Sequence, residues 1–100
     1  MNCTVPYVVS RTPNSRGGVV EIWSDGYYIE TGYKLPNTKT YTISHSIINS
    51  SFLSASAINN YNITINIYLN DTTLTVTAHT ASGGSYDSWD GYWKVEGYIR

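Results

Sequence analysis

Asp25-Gly26 separates two short arms of β-branched and aromatic residues, and this arrangement constrains the fold more than any other part of the chain. Val19, Val20, Ile22 and Trp23 precede the pair; Tyr27, Tyr28, Ile29 and Thr31 follow it. An Asp-Gly step between such arms predicts a hairpin closed by a two-residue type I′ turn. Both central positions of that turn need positive φ, which this pair tolerates.

The same period-two pattern recurs down the chain. Ile63, Ile65, Ile67 and Leu69 alternate with Asn62, Thr64, Asn66 and Tyr68. Leu74, Val76 and Ala78 alternate with Thr73, Thr75, Thr77 and His79, and the short joint Asn70-Asp71-Thr72 makes the two segments antiparallel neighbours. Tyr41, Ile43, His45 and Ile47 share one side of a further strand, with Thr42, Ser44 and Ser46 on the other. A first strand is expected over residues 5–10, with Pro6 suiting a strand start or an edge. Residues 92–99 form the last, with Trp93, Val95 and Ile99 on one face and Tyr92, Lys94, Glu96 and Tyr98 on the other. Residues 11–18 and 81–91 read as loops and 36–39 as a turn. Residues 49–60 fit either a short strand or an irregular loop. About seven or more short strands with no helix predict one small antiparallel β-sandwich domain spanning residues 1–100.

Composition narrows the function. A formal net charge of -1 with 13 % charged residues argues against a nucleic-acid partner, which a basic field would attract. No apolar run approaches the roughly 20 residues that span a bilayer, so no membrane insertion is expected. The N-terminal residues lack the basic-then-apolar pattern of a secretory leader. Cys3 is the single cysteine, which excludes a disulfide framework and a cysteine zinc cluster. Ser, Thr and Asn dominate the polar residues, beside ten Tyr and three Trp. Uncharged polar faces with many aromatics suit an extracellular or virion-surface protein that meets polar ligands.

Catalytic candidates are sparse. Asp87 and Asp90 flank Trp89 and form the best acidic pair, but glycoside hydrolysis needs two carboxyls roughly 5–9 Å apart across a cleft. Loop aspartates more commonly make Asx turns. No Gly-x-Ser-x-Gly elbow occurs, so the chain is expected not to be an enzyme and to carry no cofactor. His45 and His79 belong to no metal-binding spacing, and no metal site is expected, although a three-fold axis could gather copies of one histidine. Glu21, Glu30 and Glu96 fall within strands, at positions expected to face solvent or a neighbouring chain. Asn2, Asn49, Asn62 and Asn70 head Asn-x-Ser/Thr sequons, which matter only in a eukaryotic secreted protein.

The aromatic-polar loop is the main binding candidate. Tyr86, Asp87, Trp89, Asp90 and Tyr92 are expected to form a receptor-binding site, with aromatic rings stacking on sugars and carboxylates accepting from hydroxyls. Trp89 has a second reading, as a cover over one open end of the core.

Tyr7-Val8-Val9-Ser10, a short polar gap, the run Trp23-Ser24-Asp25-Gly26-Tyr27-Tyr28-Ile29-Glu30-Thr31-Gly32 and the terminal Tyr92-Trp93-Lys94-Val95-Glu96-Gly97-Tyr98 together resemble the C-terminal domain of bacteriophage tail-fibre proteins. The specific part of the resemblance is the hairpin and the last strand. It implies a β-sandwich that assembles as a parallel homotrimer at the distal end of an upstream fibre shaft. On the virion, such a tip touches a host cell-surface glycan or protein. The trimer contact is expected around Trp23, Tyr28 and Trp93. The chain departs from the family pattern in a Pro/Gly-rich gap between Ser10 and Val19 and in Glu96 within the last strand. The alternative reading is a monomeric secreted carbohydrate-binding or adhesin module.

Overall fold

A computed structural model describes residues 5–33, 40–57, 63–84 and 90–100. Eight strands follow in chain order: β1 (Val8–Pro13), β2 (Val19–Trp23), β3 (Tyr27–Tyr33), β4 (Thr40–Thr42), β5 (Ile47–Ala57), β6 (Ile63–Asn70), β7 (Thr73–Thr80) and β8 (Gly91–Ile99). All pairings are antiparallel, in a five-stranded sheet ordered β1-β2-β3-β8-β5 and a three-stranded sheet ordered β4-β7-β6.

Alternation decides which side chains face inward. Tyr28, Glu30 and Gly32 on β3 and Trp93, Val95 and Gly97 on β8 are buried, and the residues between them point outward. From the other sheet Leu74, Val76 and Ala78 of β7 meet them, with Ile63, Ile65, Ile67 and Leu69 of β6 packing at the margin. The expected faces of β6, β7 and β8 are therefore the observed ones.

The β2–β3 hairpin forms where Asp25-Gly26 predicts it, with a different turn. Ile22 pairs with Tyr28, and three residues, Ser24, Asp25 and Gly26, make the loop. The Gly26 N–H donates to Trp23 C=O at 2.9 Å, and Gly26 carries φ +89°. Asp25 does not share the positive φ, since Asp71 is the one non-glycine residue with it among the described residues. A tight turn ending in a left-handed glycine replaces type I′, and Asp25 Oδ1 instead accepts the Tyr27 N–H at 3.0 Å.

Three other expectations change. The first strand, expected over residues 5–10, is β1 at Val8–Pro13 and takes in the start of the expected 11–18 loop. The run from Tyr41 to Ile47 is not one strand: β4 ends at Thr42, and the chain crosses to the other sheet before β5 begins at Ile47. Its alternation still points Ile43 and Ile47 into the core, because the crossover bridges the two inner faces. Of residues 49–60, for which the sequence allows a strand or a loop, 49–57 belong to β5, an edge strand on β8 whose register shifts between Ile48 and Phe52. That irregularity breaks the sequence period.

Both ends of the described chain lie at the hairpin end of the molecule. Ser24 N–H donates to Tyr7 C=O at 2.8 Å, Ile99 N–H to Gly26 C=O at 2.9 Å, and Arg100 N–H to Ser46 C=O at 3.0 Å. The opposite end carries the β1–β2 loop, Tyr33 at the end of β3, and Asp90 leading into β8. Six residue steps along β3 separate the Tyr27–Tyr98 pair from the Tyr33–Tyr92 pair, roughly 20 Å of strand.

Candidate functional site

Midway along β3, between the two ends of the sandwich, lies a buried carboxylate. Glu30 is 0 % exposed within the single chain, which overturns its expected position facing solvent or a neighbouring chain. β3 places it on the inner face beside Tyr28, where it is tolerated because donors surround it. Asn14 Nδ2 donates to Oε2 at 3.0 Å, Tyr41 OH to Oε2 at 2.7 Å and Ser44 N–H to Oε1 at 3.2 Å; the Tyr28 hydroxyl also donates to Oε1. These donors come from the β1–β2 loop, β4, the β4–β5 crossover and β3, so one side chain ties the two sheets and a loop together. Burial, followed by the bond to Glu30, pushes the Tyr41 phenol up to about 12 and raises that of Tyr28 further.

Asn14 passes this anchorage to the loop. Its amide also donates to Thr31 C=O at 2.7 Å, while its Oδ1 accepts from Arg16 N–H at 2.9 Å and Gly18 N–H at 3.0 Å. Arg16 C=O in turn accepts from Tyr33 N–H at 2.7 Å. Gly32 lets these parts close up: a Cβ there would sit 2.3 Å from the Trp93 ring and 3.0 Å from Arg16 Cβ. The Trp93 indole N–H donates to Tyr33 C=O at 2.8 Å from the inner face, so the preceding residue, Tyr92, projects from the outer one.

Tyr92 is 55 % exposed. Its ring meets Tyr33 edge-to-face, centroids 5.5 Å apart at 70°. The Tyr33 hydroxyl donates to Asp90 Oδ1, and this bond raises the Tyr33 phenol. An aromatic ring braced in this way loses little freedom on binding. Depressions flank Tyr92 on both sides. One, of about 420 Å³, is lined by Ser15, Arg16, Gly17, Tyr33 and Tyr92. The other, of about 360 Å³, lies toward β5 and is lined by Thr31, Ser54, Ala55, Ser56, Tyr92, Trp93 and Lys94.

Of the five residues expected to bind a receptor, Asp90 and Tyr92 are both at the end opposite the hairpin, Tyr92 as the exposed ring and Asp90 as the acceptor that orients Tyr33. Tyr86, Asp87 and Trp89 lie outside the described residues. Ser15, Arg16 and Tyr33 were not anticipated. The Asn14…Gly17-Gly18 run carried a turn signal, but nothing in it announced an anchor on Glu30. The histidines are apart: His45 packs edge-to-face on Tyr28 at 5.7 Å, and His79 pairs with Thr64 on β6. No group of three or more metal-ligating side chains occurs among the described residues.

The outer face of the large sheet nearer the chain termini is a separate apolar surface. Trp23, Tyr27, Ile29, Ile48 and Tyr98 share it, with Tyr98 46 % and Ile48 42 % exposed. The ion pairs Arg11–Glu21 and Lys94–Glu96 lie among them. The expected association surface is corrected accordingly: Tyr28, 0 % exposed, and Trp93, 1 % exposed, belong to the core of the single chain. Strand alternation sends one member of each aromatic pair inward and the other outward.

Compared with known proteins, the chain matches no family model, no curated relative and no solved structure.

Proposed function

We propose that this chain is the receptor-binding tip of a phage or prophage tail fibre: a homotrimer at the distal end of the fibre that attaches to a glycan or protein of the host cell surface, without catalysis. The observation that carries this reading is polarity along the strands. The ends of the described chain sit at the hairpin end, where a shaft would join, and the braced Tyr92 stands at the other, where a tip meets its target. An exposed tyrosine among hydroxyls and cations suits stacking on sugar rings. The half-exposed row Trp23, Tyr27, Ile48 and Tyr98 supplies the face on which neighbouring copies would pack.

One observation favours a second reading, the monomeric secreted carbohydrate-binding or adhesin module. Both sheets close over a complete core within a single chain, with Trp93 and Tyr28 fully covered. Light scattering at micromolar concentration separates the two, a three-chain mass supporting the fibre tip and a one-chain mass removing it. Tyr92→Ala is expected to keep the oligomeric mass and melting behaviour while losing most attachment to host cells. Unchanged attachment would move the binding site away from this end.

A further inference from the structure

The two flanks of Tyr92 differ. Its cross-strand neighbour on β3 is Tyr33, whose ring packs edge-to-face against it at 5.5 Å, and its neighbour on β5 is Ser56. Tyr33 is itself held, its N–H by Arg16 C=O and its hydroxyl by Asp90, so the protein's own ring takes the β3 side of Tyr92. The depression on that side is lined by Tyr33 and by Arg16, which has a buried Nε and is engaged within the chain. On the β5 side the short Ser56 leaves the flank of Tyr92 bare.

The β5-side depression holds about 360 Å³, near the lower end of small-ligand sites and enough for one sugar ring. Register and alternation set Thr31, Ser54, Ser56 and Lys94 around Tyr92 on the outer face, and both serines are exposed. A serine hydroxyl offers one donor and two lone pairs, the same inventory as each hydroxyl of a sugar. Charge is balanced here among the described residues: Lys94 Nζ lies 3.0 Å from Glu96 Oε1, and Asp90 faces the Tyr33 hydroxyl. One cation against two carboxylates gives no positive field that would draw an anion.

Resting on the reading of this end as a glycan-binding site, we infer that a single sugar ring seats on the β5 side of Tyr92, recognised by its apolar face and its hydroxyls and not by charge. The ring stacks on the flank of Tyr92 that Tyr33 leaves open, and Ser54 and Ser56 exchange hydrogen bonds with its hydroxyls. Tyr33 acts as a positioning residue, holding Tyr92 upright from the other side.

The test titrates the full chain with methyl glycosides of hexoses, 6-deoxyhexoses and N-acetylhexosamines, and with the uronates of matching configuration, followed by amide NMR shifts. A neutral glycoside should bind and move the signals of Ser54, Ala55 and Ser56 while those of Ser15 and Gly17 stay in place. Its affinity should be unchanged by added salt, and the matching uronate should bind no tighter. Ser56→Ile, which fills the depression from an exposed strand position and removes a hydroxyl, should weaken binding about tenfold or more with the melting temperature kept. Shifts confined to residues 15–17, a uronate preferred over its neutral counterpart, or a folded Ser56→Ile that binds as wild type each overturn the inference while the binding end stands. No binding of any single ring by a chain that still attaches to cells through Tyr92 also overturns it. Attachment unaffected by Tyr92→Ala removes the underlying reading, and the inference with it.

Discussion

Replacing Glu30 by Gln tests whether one buried carboxylate fastens the sandwich to its binding loop. The substitution keeps the volume and changes what the site can accept. In the native protein the donors from Asn14, Tyr28, Tyr41 and Ser44 converge on two acceptor oxygens. An amide retains one oxygen and turns an NH2 toward the remaining donors, so one side of the network becomes donor against donor. Hydrogen bonds to a charged acceptor contribute about 1.5–3 kcal/mol each, and a buried donor left without a partner costs about 1–3 kcal/mol. Some donors keep alternatives: Asn14 still reaches Thr31 C=O, and the Tyr28 hydroxyl still meets Ser44 Oγ at 3.2 Å. The net loss is therefore about 2–4 kcal/mol, a large part of the roughly 5–15 kcal/mol that holds a small domain. In a domain of this size that lowers Tm by roughly 10–25 °C. Urea melts of both forms at one fixed protein concentration measure it, since assembly would couple stability to concentration. Because Asn14 carries the loop of Arg16, ligand affinity should fall as well, even at temperatures where the variant stays folded. A midpoint shift equivalent to less than about 0.5 kcal/mol, with affinity retained, would refute the argument and reduce Glu30 to a passive passenger in the core.

Gly26→Val should cost about 1–2 kcal/mol by urea denaturation, and the cost lies in the backbone, because a Cβ there would meet nothing within 4 Å while φ is +89°. Gly26→Asn should recover much of the loss; a valine variant as stable as the parent would sink the turn assignment. Glu96 is held below the usual carboxylate range by the Tyr27 hydroxyl and then by Lys94, although partial burial opposes them. Its folded pKa lies below the unfolded one, so its contribution is complete above about pH 5 and fades as pH falls below about 4.3. Thermal melts of wild type and Glu96→Gln should therefore converge in acid and separate toward neutrality. Tyr27, raised to about 12 chiefly by burial and then by Glu96, acts in the opposite direction: the stability it confers is present below about pH 10 and lost as pH rises toward 12. Tyr27→Phe should remove that part of an alkaline transition followed by tyrosinate absorbance.

Local pattern alone determined much of this protein. Strand periodicity is a near-neighbour property: the alternation in Ile63–Asn70 and Thr73–Thr80, the short Asp71 joint and the inward set Trp93 and Val95 are all legible without a fold. So is the hairpin at Gly26, although its loop has three residues, Ser24, Asp25 and Gly26, rather than two. Alternation says which residues share a face and leaves open which face is covered. Only the packing of β4-β7-β6 onto the large sheet made Tyr28 and Trp93 core and left Tyr27 and Tyr92 outside. The same packing buried Glu30, whose charge reads as a surface mark along the chain and becomes tolerable only when four donors from distant segments converge on it. β5 escaped the sequence because its register slips midway, and a slipped strand has no single period to read. The binding end was half visible for a related reason. Tyr92 and Asp90 stand out as aromatic and acidic residues of one loop region, whereas Ser15, Arg16 and Tyr33 join them only through contacts spanning many residues of chain. Such long-range contacts exist in the folded protein and have no local signature.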